Sequence, residues 1–175
     1  MDQPLLSPLC ALEHSLIMYL FPHNDEWISE FEKEKNSIIS AYEGEIEIFH
    51  IGSTAIKGLY AKDCIDLLGI VKNISEVSLL NQSIVNLGYV YKGEYGISGR
   101  EYFSKKQRKT HLHIYQTDNA NALKHFHFVK VMQGNIELIT ELNQIKKDLH
   151  AKYPFDKESY QKEKEFFYRR INEMI

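Results

Sequence analysis

The spacing of hydrophobic residues predicts a domain in which helices and strands alternate before a helical end. After Asp25, a candidate N-cap, Trp27, Phe31 and Ile38 recur at helical spacing between charged residues, which predicts an amphipathic helix. Residues 45–51 then alternate charged and apolar side chains, as in a strand with one buried face. Both kinds of element are therefore expected early in the chain.

The middle of the chain predicts further strands and one helix. Residues 64–71 are almost continuously apolar, which is typical of a central strand covered on both faces. The other candidate elements are a helix at 74–87 and strands at 89–92, 100–104 and 110–115. The last of these strands places His111 and His113 on one face, because side chains alternate along a strand.

The remaining pattern, from Asn119 onward, is helical. It predicts three segments, with breaks near Gly134-Asn135 and Tyr153-Pro154. Tyr160 and Lys164 lie one turn apart in the last segment, and we expect them to dock that helix rather than to close a site.

These elements predict an α+β protein. Residues 1–18 contain two of the four prolines and form an irregular N-terminal arm, and residues 19–175 form one domain. Within that domain we expect a mixed sheet, helices mostly on one face and a helical C-terminal tail.

Composition agrees with an ordinary globular protein. The 175 residues fit one domain, and 43% hydrophobic with 26% charged residues indicates neither disorder nor a membrane protein. No apolar run reaches the roughly 18 to 20 residues of a membrane helix, and no secretory signal is present, so we expect a cytoplasmic protein. Cys10 and Cys64 are far apart, and we expect both to be reduced thiols without a metal.

Charge argues against nucleic acid as the main partner. The net charge is −3 and the isoelectric point is near 6.2, whereas non-specific nucleic-acid binding usually needs a strongly basic surface. The basic residues at 105–109 form only one loop. We therefore expect a small molecule rather than nucleic acid as the partner, and the sequence leaves the oligomeric state open.

Two polar features lie between the apolar strands. Gly52 and Ser53 follow the first strand directly, and a glycine there lets backbone amides approach a phosphate. Asp66 stands in the next apolar strand, where a carboxylate is costly unless a cation, a metal or several donors meet it. The arrangement is similar to the nucleotidyltransferase-fold active site, in which a second carboxylate two residues later completes a magnesium site. Leu68 occupies that second position.

Several motifs resemble, in the same order, those of the GrpB family of small bacterial proteins. The longest are HIGSTAIKGLYAK at 50–62 and CIDLLGIV at 64–71. The others are Asp25-Glu26-Trp27, Leu87-Gly88-Tyr89, residues 96–103, His111-Leu112-His113, Ala151 to Pro154 and Tyr160 to Lys164. The resemblance covers about residues 19–172 and implies a nucleotidyltransferase-like fold.

The chain departs from the family pattern in three segments, of which residues 62–66, KDCID instead of Lys-Pro-Ile-Ile-Asp, show a tolerable change. Ile56-Lys57-Gly58 stands where relatives commonly read Val-Pro-Gly, which is a tolerable change. Residues 128–133 read FVKVMQ instead of Phe-Arg-Asp-Tyr-Leu-Arg, and this removes two arginines and an aspartate that could bind an anionic substrate. Together with Leu68, this loss weakens the expectation of catalysis.

The histidines are candidate ligands. His111 and His113 could present two imidazoles to a metal or a phosphate, or could be hydrogen-bonded structural residues. With His50 and the strand aspartate, they could replace the missing carboxylate. His125 and His127 do not share a helix face, so we expect them at the surface or as a cap.

Two cationic residues are candidates for phosphate binding. Arg100 begins a strand, and its guanidinium could reach over the sheet to a phosphate near the Gly-Ser turn or form a surface ion pair. Lys62 could neutralise a phosphate or form an ion pair with Asp66. If it does not pair with Asp66, that carboxylate could be hydrogen-bonded to the amides of the turn.

Two functions follow from these residues. The first is an enzyme that transfers a nucleotidyl or phosphoryl group from a nucleoside triphosphate with Mg²⁺. Ser53 and Thr54 would bind phosphate, Asp66 would hold the metal, and Lys62 and Arg100 would stabilise charge. The alternative is a non-catalytic nucleotide- or anion-binding domain that has lost part of its carboxylate set. The residues that could supply a second carboxylate are Asp63, Glu47 and Glu101.

Overall fold

A five-stranded mixed sheet lies at the centre of the protein, of which a computed structural model describes residues 20–174. The strands are β1 (Glu47–Ile51), β2 (Ile65–Val71), β3 (Val90–Tyr91), β4 (Arg100–Lys105) and β5 (Thr110–Gln116). Their spatial order is β1-β2-β5-β4-β3, with β2 and β5 parallel and the other neighbours antiparallel. The arm predicted at residues 1–18 lies outside the described residues.

Within residues 20–174, five α-helices accompany the sheet, and the α+β class predicted from the sequence is confirmed. They are α1 (Glu26–Ala41), α2 (Val77–Val85), α3 (Ala120–Met132), α4 (Ile136–Lys152) and α5 (Lys157–Asn172). The two predicted breaks in the C-terminal part separate α3 from α4 and α4 from α5. The N-cap prediction needs correction, because the Asp25 side chain makes no capping hydrogen bond and Asn24 Oδ1 accepts one from the Glu26 amide at 3.0 Å instead.

The two faces of the sheet carry separate hydrophobic clusters. Helices α1 and α2 cover one face, where Trp27 and Phe31 pack with strand residues such as Leu67 and Leu112. Helix α3 covers the other face through a cluster that includes Leu68 and Ala122. The helices are therefore shared between both faces, in contrast to the expected concentration on one, because Leu67 of β2 belongs to the first cluster and its neighbour Leu68 to the second.

The last three helices form a further cluster with the loop that follows β1. Ile56 and Leu59 of this loop pack with Phe128 of α3, Leu142 of α4 and Phe167 of α5. Burial of a large apolar side chain contributes about 1.5–3 kcal/mol, so this cluster holds the loop firmly against the helices. It thereby positions α5 next to the edge of the sheet where β2 begins.

No helix within residues 20–174 is both long enough and apolar enough to span a bilayer.

Candidate ligand-binding site

The pairing of the strands brings the polar residues of the candidate site together. In the parallel pair β2 and β5, Asp66 lies directly opposite His111 and Leu68 lies opposite His113. In the antiparallel pair β1 and β2, Ile51 lies opposite Asp66, so the turn that begins at Gly52 starts beside the carboxylate. Strand register alone therefore places the Gly-Ser turn, the aspartate and the two histidines at one edge of the sheet.

Gly52 lies so close to Asp66 that a residue with a side chain would not fit at this position. Its backbone has φ 71° and ψ −168°, in a region that is essentially restricted to glycine. A Cβ atom at this position would lie 2.8 Å from Asp66 Oδ2. The glycine thus fixes the carboxylate against the turn, with Ser53 immediately after it.

Asp66 is held by the two histidines of β5. His111 Nδ1 lies 3.1 Å from Asp66 Oδ1, and His113 Nε2 lies 3.9 Å from the same oxygen. Burial by itself would raise the pKa of Asp66, but the hydrogen bond from His111 and the electrostatic effect of the nearby His113 outweigh burial and lower the pKa below its usual value. The carboxylate is therefore ionised at neutral pH, and 30% of its side chain is exposed.

Cys64 stands beside this group, although the sequence predicted a thiol without a role. It lies two residues before Asp66 and therefore on the same side of the chain, and its Sγ is 3.7 Å from His111 Nδ1. Burial raises the pKa of this thiol to about 12. Within residues 20–174, the one group of three potential metal ligands comprises Cys64, Asp66 and His111, whose ligand atoms all lie within 4.8 Å of one another.

The candidates for a second carboxylate point elsewhere. Asp63 accepts hydrogen bonds from Trp27 Nε1 at 2.9 Å and from Arg108 at 2.8 Å. Glu101 accepts one from the Tyr91 hydroxyl at 2.5 Å.

The pairing register of the strands explains why Glu101 and Glu47 lie away from Asp66. Glu101 pairs with Ile114, whose side chain belongs to the opposite face of the sheet. Glu47 pairs with Ile70 and so lies at the far end of β2 from Asp66. Leu68, at the position of the usual second carboxylate, is fully buried. None of these residues places a second carboxylate beside Asp66.

A buried lysine of α4 contacts the Gly-Ser turn. Lys146 Nζ donates to Ser53 Oγ at 2.8 Å and to the Tyr60 carbonyl at 2.5 Å, and only 2% of the residue is exposed. Burial, and then the positive charges of Lys164 and Lys62, lower its pKa well below the usual value. Sequence reasoning missed Lys146, although it interrupts the apolar stripe between Leu142 and Leu149.

Helix α5 supplies further groups that the sequence assigned to docking. Lys164 lies near Asp66, and burial followed by the charge of Lys62 lowers its pKa to about 8. The pKa of Lys62 is likewise lowered to about 8, mainly by burial and then by the charges of Lys109 and Lys157. The hydroxyl of Tyr168 lies 3.4 Å from Ser53 Oγ. Helices α4 and α5 and strands β2 and β5 therefore contribute to one site.

These residues line two adjoining cavities. The first, which we call the large cavity, has a volume of about 760 Å³, and the second, which we call the lysine pocket, has a volume of about 220 Å³. Both are lined by Ser53, Asp66, His111, Gln161 and Lys164. Asp66 thus lies at the junction of the two cavities.

The walls of the two cavities differ in chemistry. The lysine pocket also contains Lys62, Lys109, Lys146, Cys64 and Thr54 among its lining residues. The large cavity includes the ring-bearing side chains His113, Tyr115, His125, Phe128 and Tyr168. One cavity is therefore rich in cationic groups, and the other is rich in aromatic and imidazole rings.

Two predicted ligand-binding residues instead support their neighbours. The guanidinium of Arg100 donates to the carbonyls of Glu94 at 3.1 Å and Tyr95 at 2.7 Å and lies 3.4 Å from His113 Nδ1. It lines neither cavity, so the expectation that it reaches the Gly-Ser turn is corrected: the loop that precedes β4 folds back and occupies its donors.

His50 also lies outside both cavities. Its ring stacks on Phe31 at a centroid distance of 4.6 Å, on the face covered by α1, and its Nε2 lies 2.9 Å from Thr54 Oγ1. Burial lowers the pKa of His50 to about 4, which keeps the imidazole neutral at pH 7. His50 therefore positions Thr54, which is the residue of this pair that lines the lysine pocket.

The two histidines of α3 are partly buried, not at the surface as the sequence suggested. His125 lines the large cavity with its ring 5.7 Å from that of His113, and burial lowers its pKa to about 4. His127 Nε2 lies 3.0 Å from the Ile171 carbonyl, so it connects α3 to α5. His125 lies against β5 and His127 against α5, and sequence spacing cannot show either contact.

The chain resembles known proteins over most of its length. A family model described as GrpB protein matches residues 18–174. Glutamate-rich protein GrpB of Alkalihalophilus pseudofirmus is 37% identical over 167 residues, which cover 89% of this chain and 94% of the relative. UPF0157 protein YqkA of Bacillus subtilis is 36% identical over 135 residues, or 75% of this chain, but the match spans only 39% of YqkA.

Solved structures agree with these relatives. The crystal structure of conserved protein GrpB from Enterococcus faecalis superimposes with a TM-score of 0.82 at 32% identity, covering 88% of this chain and 94% of that one. A Cid1 poly(U) polymerase structure with Mg 3'-dATP bound has a TM-score of 0.53 at 10% identity, covering 87% of this chain and 51% of the polymerase. At that identity the second likeness shows the fold alone, and it confirms the nucleotidyltransferase-like architecture.

Proposed function

Since the chain belongs to the GrpB family, as its motifs predicted, and has a nucleotidyltransferase-like fold, we propose that it binds a nucleoside triphosphate. The observation that carries this proposal is the lysine pocket, in which four lysines surround Ser53 and Thr54 while Asp66 is the single carboxylate. The phosphates of the nucleotide occupy this pocket.

The electrostatics of the lysine pocket favour a strongly anionic ligand. Burial and neighbouring positive charges lower the pKa values of Lys62, Lys146 and Lys164, so the pocket itself disfavours their charged forms. A phosphate reverses this effect, because an anion within hydrogen-bonding distance stabilises the ammonium form. Ser53 Oγ already accepts from Lys146 and offers its own proton to the ligand.

The large cavity suits the rest of the nucleotide. Its volume of about 760 Å³ lies within the roughly 300–1,000 Å³ that is common for small-molecule sites. Phe128 and Tyr168 stack on each other at 4.6 Å, and the rings of His113 and His125 also line this cavity. Ring-lined walls of this kind accommodate a base and a sugar.

Transfer of a nucleotidyl group is the second candidate function, since Asp66 faces both cavities beside Ser53. The donor set does not fit the pair of Mg²⁺ ions that this chemistry commonly uses. Mg²⁺ prefers oxygen ligands in octahedral geometry, but the ligand group here has one carboxylate, one thiol and one imidazole. We therefore propose binding as the main function and derive no catalytic step through Mg²⁺.

Calorimetric titration tests the binding proposal. Wild-type protein should bind ATP, or one of the other three common nucleoside triphosphates, more tightly than the matching diphosphate and nucleoside. Lys164→Met and Ser53→Ala should each weaken this binding about 10- to 100-fold, since a hydrogen bond to a charged group contributes about 1.5–3 kcal/mol. Lys57→Met is the matched control, because Lys57 is exposed and lines neither cavity.

Two results would count against this proposal. One is the absence of measurable heat with all four triphosphates, with and without Mg²⁺. The other is equal affinity in wild type, Lys164→Met and Lys57→Met. Pyrophosphate release in the same mixtures, compared between wild type and Asp66→Asn, separates transfer from binding alone.

A further inference from the structure

The group formed by Cys64, Asp66 and His111 has the composition of a site for a softer metal. Thiolate and imidazole are preferred ligands of Zn²⁺, whereas Mg²⁺ selects carboxylates, phosphates and water. Cys64 is buried, and Asp66 and His111 are partly buried, so a cation here would be largely shielded from solvent.

Distances between the ligand atoms match a tetrahedral zinc centre. With Zn–S near 2.3 Å and Zn–N or Zn–O near 2.1 Å, neighbouring ligand atoms lie about 3.4 to 3.6 Å apart. The Cys64 sulfur is 3.7 Å and 3.8 Å from the two ring nitrogens of His111, and His111 Nδ1 is 3.1 Å from Asp66 Oδ1. All three ligand atoms lie within 4.8 Å of one another, so side-chain movements of at most about 1 Å would complete the geometry.

The backbone fixes these three ligands without any metal. Cys64 and Asp66 are two residues apart on one chain segment, and the amide of Ile65 between them donates to the Lys109 carbonyl at 3.0 Å. This hydrogen bond continues the parallel pairing that sets His111 opposite Asp66. Because the three Cα positions belong to two paired segments, the site is preorganised.

We propose that Cys64, Asp66 and His111 bind one zinc-class divalent cation, with a fourth coordination position open to the cavities. Asp66 and His111 line both cavities, so the open position faces them and could take water or a phosphate oxygen. Three protein ligands with one open position is the arrangement of zinc sites that act on a ligand. His113, whose Nε2 is 3.9 Å from Asp66 Oδ1, borders that position.

The proposed cation lies in the pocket to which we assign the phosphates of the nucleotide. Only the contact between the cation and a phosphate rests on the proposed function. The cation would lie beside Ser53 and the lysines, where it would add positive charge for the phosphates. Zinc binding itself needs no nucleotide, so the two ideas can be tested separately.

Metal titration of chelator-treated, reduced protein tests the inference. Wild type should bind one Zn²⁺ per chain, measured by competition with a chromophoric indicator, at least about 100-fold more tightly than Mg²⁺. Cys64→Ser and His111→Ala should each weaken Zn²⁺ binding by at least about tenfold, while Cys10→Ser, which removes the other thiol of the chain, should not. With Co²⁺, wild type should show a thiolate charge-transfer band that Cys64→Ser lacks.

Three results would overturn the inference: equal Zn²⁺ affinity in wild type and Cys64→Ser, Zn²⁺ no tighter than Mg²⁺, or a Co²⁺ spectrum of wild type without a thiolate band. The last result decides the matter even if a variant fails to fold. Nucleotide titrations with and without Zn²⁺ keep the two proposals apart. If the protein binds Zn²⁺ but no nucleotide, only the proposed function is contradicted. If it binds nucleotide without a metal and gives any of the three results above, only the zinc site is contradicted.

Discussion

Replacement of Gly52 by alanine should strain the backbone and displace the carboxylate of Asp66. The strain arises because φ 71° and ψ −168° lie in a region that residues with a Cβ avoid, at a cost of about 1–3 kcal/mol. The displacement arises because the new Cβ would lie 2.8 Å from Asp66 Oδ2, so the carboxylate must move, which disturbs the hydrogen bond between its Oδ1 and His111.

The second effect can be estimated from the contact that is lost. His111 Nδ1 lies 3.1 Å from Asp66 Oδ1, and a hydrogen bond to a charged group contributes about 1.5–3 kcal/mol. Together with the strain, Gly52→Ala should lower the free energy of unfolding by about 3 to 5 kcal/mol. The same variant should bind less tightly any ligand whose contacts depend on the position of the carboxylate.

A double-mutant cycle in urea separates the two effects. In an Asp66→Ala background, Gly52→Ala should cost only the strain, because the remaining Asp66 Cβ is 3.4 Å away, and the coupling energy should exceed about 1 kcal/mol. Gly134→Ala is the matched control, since Gly134 has φ 76° but nothing lies within 4 Å of its added Cβ. If the cost of Gly52→Ala is the same in both backgrounds within about 0.5 kcal/mol, the close approach does not hold the carboxylate.

Two further predictions concern Leu68 and His50. Leu68→Asp should destabilise the protein by more than about 3 kcal/mol, because it removes a fully buried apolar side chain and buries a charge. Millimolar Mg²⁺ should raise the melting temperature of Leu68→Asp but not that of wild type or Leu68→Asn. An equal effect of Mg²⁺ on the melting temperatures of all three proteins would refute this prediction. The pKa of His50 is about 4 in the folded protein and 6.5 ordinarily, so the unfolded chain binds more protons between these values and stability should fall as the pH decreases from 6.5 to 4. His50→Gln should reduce this dependence of the urea midpoint on pH, whereas an unchanged dependence would assign it to other groups such as His125.

The sequence predicted the sheet well because its strands have clear periodicity. Residues 64–71 are apolar except for Asp66 and Gly69 and contain the interior strand β2, and the alternation at 110–115 correctly placed His111 and His113 on one face. Gly52, Ser53 and Asp66 were recognised because a glycine-serine turn and a carboxylate are unusual beside apolar strands. Local patterns were sufficient for these features.

The rest of the site depends on contacts between distant segments. Lys146 and Tyr168 reach Ser53 from α4 and α5, more than 90 residues along the chain, so no local pattern pairs them. His50 was assigned to the wrong side, although Ile48 and His50 alternate with Phe49 and the face could have been inferred from that alternation. The donors of Arg100 are occupied by a loop whose path the sequence does not specify.

The two faces of the central sheet separate the residues that stabilise the fold from those that line the cavities. Ile65 and Leu67 of β2 belong to the apolar cluster under α1, whereas Cys64 and Asp66 alternate with them and project toward the cavities. A point mutation among the cavity residues can therefore alter which metal or anion is recognised while the apolar cluster remains intact. Descendants of one ancestral scaffold could thus acquire different ligands through a few substitutions, without the fold having to be reinvented.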